Sequence, residues 1–306
     1  YAAGSALRGS ARLNANKREF PPYLYGTAWK EQETRRLTRL AIQQGFRGID
    51  TANQRKHYFE AAVGEGIADA IRDGFVSSRD DLFIQTKFTQ RRGQDDRLPY
   101  DEKAPIREQV KQSFASSQKH LATEVLDSYV LHGPTTQQGL TEEDLEAWRS
   151  MEEIYDEGGT CALGISNISL DQLRLLQKVA QIKPNFVQIR CYAARQWDRS
   201  IRDFCVANGI VYQAFSLLTA NRSVLNHNAT KMIARRHGKT AAQIIFRFAL
   251  ECGMFPLTGT KDVVHMAEDL DVFNFQLSVT EVRTIETMVV GEKPQPFQTP
   301  ILRWGR

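Results

Sequence analysis

Two kinds of stretch alternate along the chain. Short runs rich in β-branched and aromatic residues, such as FRGID at 46–50 and LFIQTKF at 82–88, are each followed by a longer amphipathic stretch. Short apolar runs bounded by turn residues are typical of buried strands, and apolar positions spaced three to four apart are typical of helices. The first long stretch, 31–44, ends at Gly45, where a helix commonly takes a left-handed residue.

The pattern predicts a succession of eight strand–helix units. The predicted strands are 23–29, 46–50, 82–88, 128–133, 161–166, 186–190, 211–216 and 254–259. The predicted helices include 31–44, 61–74, 106–121, 142–157, one beginning near Leu170 with Ser169 as its N-cap, 240–252 and 280–289. Strict alternation of strand and helix implies a parallel sheet covered by helices.

A parallel sheet of this kind closes into a barrel or stays open and doubly wound. An open dinucleotide-binding sheet has G-x-G-x-x-G after its first strand, but GEGIAD at 64–69 lies inside a predicted helix and lacks the third glycine. The number of units favours the barrel. We therefore predict a single α/β domain over residues 1–306, a (β/α)₈ TIM barrel with an additional C-terminal helix and tail.

Composition excludes several classes of protein. The 306 residues are 42% hydrophobic and 25% charged, with no apolar run long enough for a membrane helix and no hydrophobic region of a secretory signal near the N-terminus. The net charge is +4, and the basic residues are interspersed with acidic ones instead of forming a basic stripe, which argues against nucleic-acid binding. The histidines lack metal-ligand spacing, so we predict no metal. Four scattered cysteines indicate reduced thiols and a cytoplasmic protein.

Titratable residues stand where three consecutive strands end. In a (β/α)₈ barrel the chemistry lies at the carboxyl ends of the strands, and these positions hold Asp50, Lys87 and His132. A buried ammonium is costly, so Lys87 needs Asp50 as its partner or must lose its proton. Tyr58 lies in the loop after Asp50, and a cation within about 4–6 Å lowers the pKa of a phenol by about 1–3 units. This predicts Tyr58 as a general acid, with His132 donating a hydrogen bond to the same oxygen.

Six short motifs follow one another in order along the chain. GFRGIDTA surrounds Asp50, QTKF contains Lys87 and YVLHGP contains His132, and GISN at 164–167, VQIRCY at 187–192 and AFSLL at 214–218 follow. With these motifs the sequence resembles the aldo-keto reductase family from GTAW, near Trp29, to about Glu268. The resemblance implies reduction of an aldehyde or ketone by NADPH, with Asp50, Tyr58, Lys87 and His132 as the catalytic residues.

The resemblance also implies where the cofactor binds. Ser166, Asn167 and Gln188 would bind the carboxamide, Phe215 would stack on the nicotinamide, and Lys261 with nearby threonines would favour NADPH over NADH. A helix N-terminus near Asp262 would add its dipole. The implied cofactor-binding residues are Thr27, Asp50, Ser166, Asn167, Gln188, Phe215, Ser216, Leu217, Thr258, Gly259, Thr260, Lys261, His265, Glu268 and Asp269.

Two regions depart from the family or are hard to interpret. The family's tyrosine commonly stands five residues after the aspartate, where this chain has Arg55, so we interpret QRKHY as a longer loop that places Tyr58. Trp29, His132 and Trp197 are the predicted substrate contacts. Phe297 and Trp304 belong to a tail that we expect to fold over the mouth of the barrel.

Two other functions are open at this point. Lys87 would act as the amine of a Schiff-base aldolase if its pKa were low enough, although Asp50 keeps it protonated. The barrel would instead be a catalytically idle, NADPH-binding regulator if it bound cofactor without turnover. The partner we expect is a small carbonyl substrate, with no nucleic acid and no membrane, and we expect a monomer or a weak homo-oligomer.

Overall fold

Eight parallel strands close into a barrel in the computed structural model of this protein, which describes residues 11–12 and 19–288. These eight strands follow one another around the barrel in chain order, with the last beside the first, and two short strands before them form a separate antiparallel hairpin. This confirms the predicted fold. The strands are β1 (Ala11–Arg12), β2 (Glu19–Phe20), β3 (Leu24–Gly26), β4 (Gly48–Asp50), β5 (Phe83–Phe88), β6 (Ser128–Leu131), β7 (Leu163–Ser166), β8 (Phe186–Arg190), β9 (Val211–Phe215) and β10 (Phe255–Thr258).

Helices cover the outside of the barrel in the order that the sequence predicts. The α-helices are α1 (Thr34–Gln44), α2 (Glu60–Arg72), α3 (Ile106–Leu121), α4 (Glu142–Asp156), α5 (Leu170–Val179), α6 (Arg199–Ala207), α7 (Arg222–Asn226), α8 (Asn228–His237), α9 (Ala241–Glu251), α10 (Val263–Leu270) and α11 (Val279–Glu286). Short 3₁₀ helices occupy Glu31–Glu33, Arg79–Asp81, Arg91–Gly93, Ala193–Asp198 and Asp271–Asn274. In the described part of the chain, no helix is long and apolar enough to cross a membrane.

Local sequence signals set the helix ends. Gly45 ends α1 with a φ of 115°, a left-handed conformation that glycine adopts without strain. Ser169 accepts a hydrogen bond from the backbone N–H of Gln172, and the Gln172 side chain bonds back to Ser169, which confirms the predicted N-cap of α5. These signals lie within a few residues of each end, and for that reason the helix positions are predictable.

The glycines of GEGIAD let α2 pack closely on its neighbours. A Cβ atom added to Gly64 would lie 1.8 Å from the carbonyl oxygen of His120, and one added to Gly66 would lie 2.6 Å from that of Arg35. Both glycines are therefore required by helix packing against α3 and the start of α1. The motif lies inside α2, as expected from the absence of a dinucleotide fingerprint.

Aromatic side chains close the amino-terminal end of the barrel. Phe20, at the end of the β1–β2 hairpin, packs with ring centroids 4.5 Å from Phe83, 4.7 Å from Phe186 and 5.0 Å from Phe255. Phe20 is almost completely buried. Because this end is filled, the cavity of the barrel opens at the carboxyl ends of the strands. The hairpin was not part of the sequence prediction.

Some predicted features differ from the structure or lie beyond it. The first barrel strand is shorter than 23–29: it ends at Gly26, and Trp29 has a φ of 62°, which turns the chain out of the sheet. The last helix ends at Glu286, and Val289, Phe297 and Trp304 lie outside the described residues. The single domain over 1–306 therefore stays a prediction. The four cysteines are free thiols.

Candidate active site

A buried ion pair lies at the centre of the carboxyl-end mouth. Lys87 of β5 places its Nζ 2.7 Å from both carboxylate oxygens of Asp50 and 2.8 Å from the carbonyl oxygen of Thr51. Burial lowers the pKa of Lys87, and Asp50 opposes that effect. The three acceptors match the three N–H bonds of an ammonium, which a neutral amine does not have. This arrangement argues against Lys87 as the free amine of an aldolase.

Tyr58 stands beside this ion pair. Its ring centroid is 5.5 Å from the Lys87 Nζ and 6.0 Å from the ring of His132, and Tyr58 lines the cavity. Arg55 instead stacks its guanidinium on Phe59 at 4.2 Å and forms an ion pair with Glu31 at 3.2 Å, outside the cavity lining. The longer loop therefore brings Tyr58, and not the residue five after Asp50, to the site.

The expected effect of Lys87 on the phenol is wrong. Burial raises the pKa of Tyr58 well above its ordinary value of 10, and the charge of Asp50 raises it further. The reason is geometric: Asp50 neutralises the ammonium, and the cation lies over the ring of Tyr58. Tyr58 therefore holds its proton at neutral pH, as a proton donor must.

His132 is a neutral imidazole at the same mouth. Burial lowers its pKa to about 3, and the charge of Lys87 contributes. Its Nδ1 lies 2.6 Å from the Thr89 hydroxyl. When that hydroxyl donates to Nδ1, the ring proton is on Nε2. In this tautomer the ring can donate a hydrogen bond to an oxygen in the cavity.

Three amide and hydroxyl side chains form the adjoining wall. The Ser166 hydroxyl donates to the backbone carbonyl oxygen of Gln188 at 2.8 Å, and the Asn167 Nδ2 donates to the Ser166 hydroxyl at 3.1 Å. Asn167 has a φ of 52°, a left-handed conformation that asparagine tolerates better than most residues. Strain of this kind is common where function fixes a side chain at the end of a strand.

Phe215 and Ser216 continue the wall at the end of β9. Ser216 has a φ of 58°, which turns the chain sharply after Phe215 and leaves both residues half-buried on the cavity surface. A planar, half-buried ring on a cavity wall is suited to stacking against an aromatic ligand. This geometry fits the nicotinamide that the family resemblance implies.

The far end of the cavity carries charges of both signs. Lys261 is an exposed rim residue whose Nζ lies 3.6 Å from a carboxylate oxygen of Glu33. Asp269 is buried and accepts a hydrogen bond from the Thr258 hydroxyl at 2.6 Å, and burial raises its pKa to about 6. Asp262 does begin α10, but its carboxylate already accepts the first N–H groups of the helix. The helix N-terminus is where the sequence predicts it, and the N–H groups of Val264 and His265 are already bonded to Asp262.

The cavity has a volume of about 660 Å³ and contains most of the predicted site residues. Those that line it are Trp29, Asp50, Tyr58, His132, Ser166, Asn167, Gln188, Phe215, Ser216, Leu217, Thr258, Gly259, Thr260, Lys261, His265, Glu268 and Asp269. Trp29 is 48% exposed and stacks on His57 with ring centroids 4.0 Å apart. Among the described residues, no group of three or more His, Cys, Asp or Glu side chains is placed to hold a metal ion.

Two predicted binding residues do not reach the cavity, and Lys87 is also buried behind its lining. Trp197 is completely buried in the core, with its ring centroid 4.8 Å from that of Phe248 and its indole N–H donated to the carbonyl oxygen of Ile285. Its predicted role in binding substrate is wrong. Thr27 is also fully buried, and its hydroxyl donates to the backbone carbonyl oxygen of Asp50 at 3.0 Å, so it supports the site from behind.

Sequence reasoning missed several residues of the site. Gln54 and His57 share the loop of Tyr58, and their position in that loop was a usable signal. Lys30 is buried and donates its Nζ to the carbonyl oxygen of Gly259 at 2.8 Å, and burial lowers its pKa to about 8. Other lining residues are Gln90, Arg92, Leu218, Thr219, Thr240 and Phe246.

The fold and the site together define a class of protein. A closed parallel barrel with an acid–base group and a large cavity at the carboxyl ends of its strands is the arrangement of (β/α)₈-barrel enzymes. The chain belongs to the aldo/keto reductase family, whose model matches residues 22–289. It is an oxidoreductase of that family.

Individual relatives agree with this assignment. The chain is 31% identical over 297 residues to the uncharacterized oxidoreductase YtbE of Bacillus subtilis, covering 95% of this chain and 98% of the relative. It is 28% identical to the glyoxal reductase of the same organism, covering 97% and 99% of the two chains. A Bombyx mori aldo-keto reductase solved in complex with NADP has a TM-score of 0.75 at 25% identity, covering 90% of this chain and 91% of that one.

Proposed function

We propose that this protein reduces an aldehyde or ketone to an alcohol with NADPH. The observation that carries the proposal is the grouping of Tyr58, His132 and the Asp50–Lys87 pair at one end of a cavity walled by Phe215. A relative that is a glyoxal reductase and a structural neighbour in complex with NADP support it.

The residues present fit a nicotinamide cofactor. Phe215 offers a face for stacking, Ser166, Asn167 and Gln188 offer polar atoms to a carboxamide, and Lys261 offers a cation to a 2′-phosphate. When bound, NADPH supplies the hydride for the carbonyl carbon. Lys30 and Lys261 are cations near that end of the cavity, and we therefore propose a preference for NADPH over NADH.

Two residues of the chain donate to the carbonyl oxygen of the substrate. Tyr58 holds its proton and donates it to the oxygen as negative charge develops there. His132 donates a second hydrogen bond from Nε2 and orients the carbonyl. The Asp50–Lys87 ion pair packs against the ring of Tyr58 and holds it in position. Holding the carbonyl group close to its hydride donor contributes much of the rate.

The test is oxidation of NADPH across aldehydes, ketones, quinones and keto sugars, with NADH as the control. We expect turnover of at least one class, and we expect Tyr58→Phe to lower kcat by about 10²–10⁴-fold while the Kd for NADPH stays within about twofold. NADPH binding without turnover of any carbonyl would contradict the proposal. Full activity of Tyr58→Phe would remove Tyr58 from the role of acid.

A further inference from the structure

A pair of glutamines fills the barrel directly beneath the candidate site. Gln85 of β5 and Gln213 of β9 are completely buried and do not line the cavity. Gln85 donates its Nε2 to the Gln213 Oε1 at 2.8 Å, and Gln213 returns a bond from its Nε2 to the Gln85 Oε1 at 3.0 Å. Strand register places Gln85 beside Asp50 and Gln213 beside Gln188.

The charge of Asp50 fixes which way these amides point. An ionised carboxylate only accepts hydrogen bonds, so any amide that contacts it must present N–H. The Asp50 Oδ1 accepts from the Gln85 Nε2 at 2.7 Å and from the Gln188 Nε2 at 2.9 Å. With Gln85 oriented in this way, its Oε1 accepts from the Gln213 Nε2. The Gln213 Oε1 in turn accepts from the Nε2 groups of Gln85 and Gln188.

Gln188 is held at both of its N–H bonds. One goes to the Asp50 Oδ1, and the other goes to the Gln213 Oε1 at 3.0 Å. Because Gln188 lines the cavity, its carbonyl Oε1 is the polar atom that remains for a ligand. The wall at Gln188 therefore offers an acceptor and not a donor.

We propose that Gln85 and Gln213 are positioning residues that hold Gln188 with its carbonyl oxygen toward the cavity, where it accepts a hydrogen bond from the carboxamide N–H of a nicotinamide. This inference rests on the proposed function. Gln85 also donates to the Asp50 carboxylate, so the glutamine pair contacts both the nicotinamide-binding residue Gln188 and the Asp50–Lys87 ion pair. The interior of such a barrel is ordinarily filled by branched apolar side chains, which would fill the space but would not orient Gln188.

The test measures the Kd of the Gln85→Leu/Gln213→Leu double variant for NADPH and for a fragment of it that lacks the nicotinamide. The double variant also removes a donor from Asp50 and an acceptor from both Ser128 and Gln188, so its folding is checked by circular dichroism before binding is measured. Gln188 then loses one acceptor, and its amide can rotate. We expect the Kd for NADPH to rise about tenfold, as for loss of one oriented hydrogen bond, and the Kd for adenosine 2′,5′-bisphosphate, which lacks the nicotinamide, to stay within about twofold.

Gln109→Leu is the matched control. Gln109 is buried on α3 and donates to the carbonyl oxygens of Glu102 and Ala104, remote from Asp50, so neither Kd should change. Equal weakening of NADPH and of the bisphosphate, or an unchanged Kd for NADPH in the folded double variant, overturns the positioning role. Failure of the unsubstituted protein to bind NADPH would instead overturn the proposed function. The single variant Gln213→Leu repeats the comparison if the double variant does not fold.

Discussion

The buried carboxyl of Asp269 is predicted to destabilise the protein at neutral pH. It is almost completely buried beside the cavity, and the hydroxyl of Thr258 is its hydrogen-bond partner. Burial raises its pKa from 3.8 to about 6. At about 1.4 kcal/mol for each pKa unit, this difference corresponds to a cost of about 3 kcal/mol when the group is ionised. We therefore expect Asp269→Asn to increase the free energy of unfolding at pH 7.5.

The pH dependence gives the prediction its sign. The folded protein binds this proton more tightly than the unfolded chain does, so stability falls as pH rises from about 4 to about 6 and is then constant. The gain from Asp269→Asn should be about 1–3 kcal/mol at pH 7.5 and about half of that at pH 5. The lower value applies if the new amide N–H finds no acceptor.

Urea unfolding of the cofactor-free protein at several pH values measures this gain. Asp271→Asn is the matched control, because Asp271 bonds to Lys239 and that contact lowers the pKa of Asp271, so its loss should destabilise. A gain at Asp269 that does not change with pH would show that relief of the buried charge is not its cause. A loss of stability at pH 7.5 would refute the reasoning outright.

Three further predictions follow from the same structure. Lys261→Ala should raise the Kd for NADPH about tenfold and leave the Kd for NADH nearly unchanged, and equal losses would show that Lys261 does not contact the 2′-phosphate. Because the pKa of His132 is lowered to about 3, His132 should stay neutral between pH 8 and pH 5, and kcat should show no titration near pH 6.5 in that range. A decrease of kcat near pH 6.5 that disappears in His132→Asn would contradict this. Phe20→Ala should lower the free energy of unfolding by about 3–5 kcal/mol in urea titrations while kcat is retained, because Phe20 lies at the opposite end of the barrel.

Sequence predicted the barrel and the strand-end residues because both depend on local and regular features. Periodicity sets the elements, short caps such as Ser169 set the helix ends, and the closure of parallel strands brings Asp50, Lys87 and His132 together. Position along a strand therefore sufficed to predict that these side chains meet. It did not predict which atoms would face each other.

The residues that were placed wrongly lie where strands pass into loops. Trp197 falls in a run of three consecutive left-handed residues, 196–198, and this turn carries its ring into the core. Thr27 follows β3 directly, but its hydroxyl bonds to the backbone of Asp50 and not to the cavity. The direction of a side chain in such places depends on backbone torsions that a sequence pattern does not specify.

The interior glutamines had a signal that sequence reasoning did not use. FIQTKF and VYQAF each carry a glutamine near the middle of a buried strand of a barrel whose inside is filled by side chains. A polar group there must be hydrogen-bonded, which predicts another polar side chain inside the barrel. The partner itself required the closed barrel, because Gln85 on β5 and Gln213 on β9 belong to strands that do not pair and meet across the interior.

The raised pKa of Tyr58 changes how Lys87 contributes to the proposed reaction. A phenol acidified by a free ammonium would lose part of its protons before a substrate arrives. Here Asp50 and Thr51 occupy all the N–H bonds of Lys87, and burial keeps Tyr58 protonated. Such a weak acid gives up its proton only when the substrate oxygen becomes strongly basic, which happens as the carbonyl is reduced. In the proposed reaction Lys87 therefore holds Asp50 and the Thr51 carbonyl in place beside Tyr58, and it does not acidify the phenol.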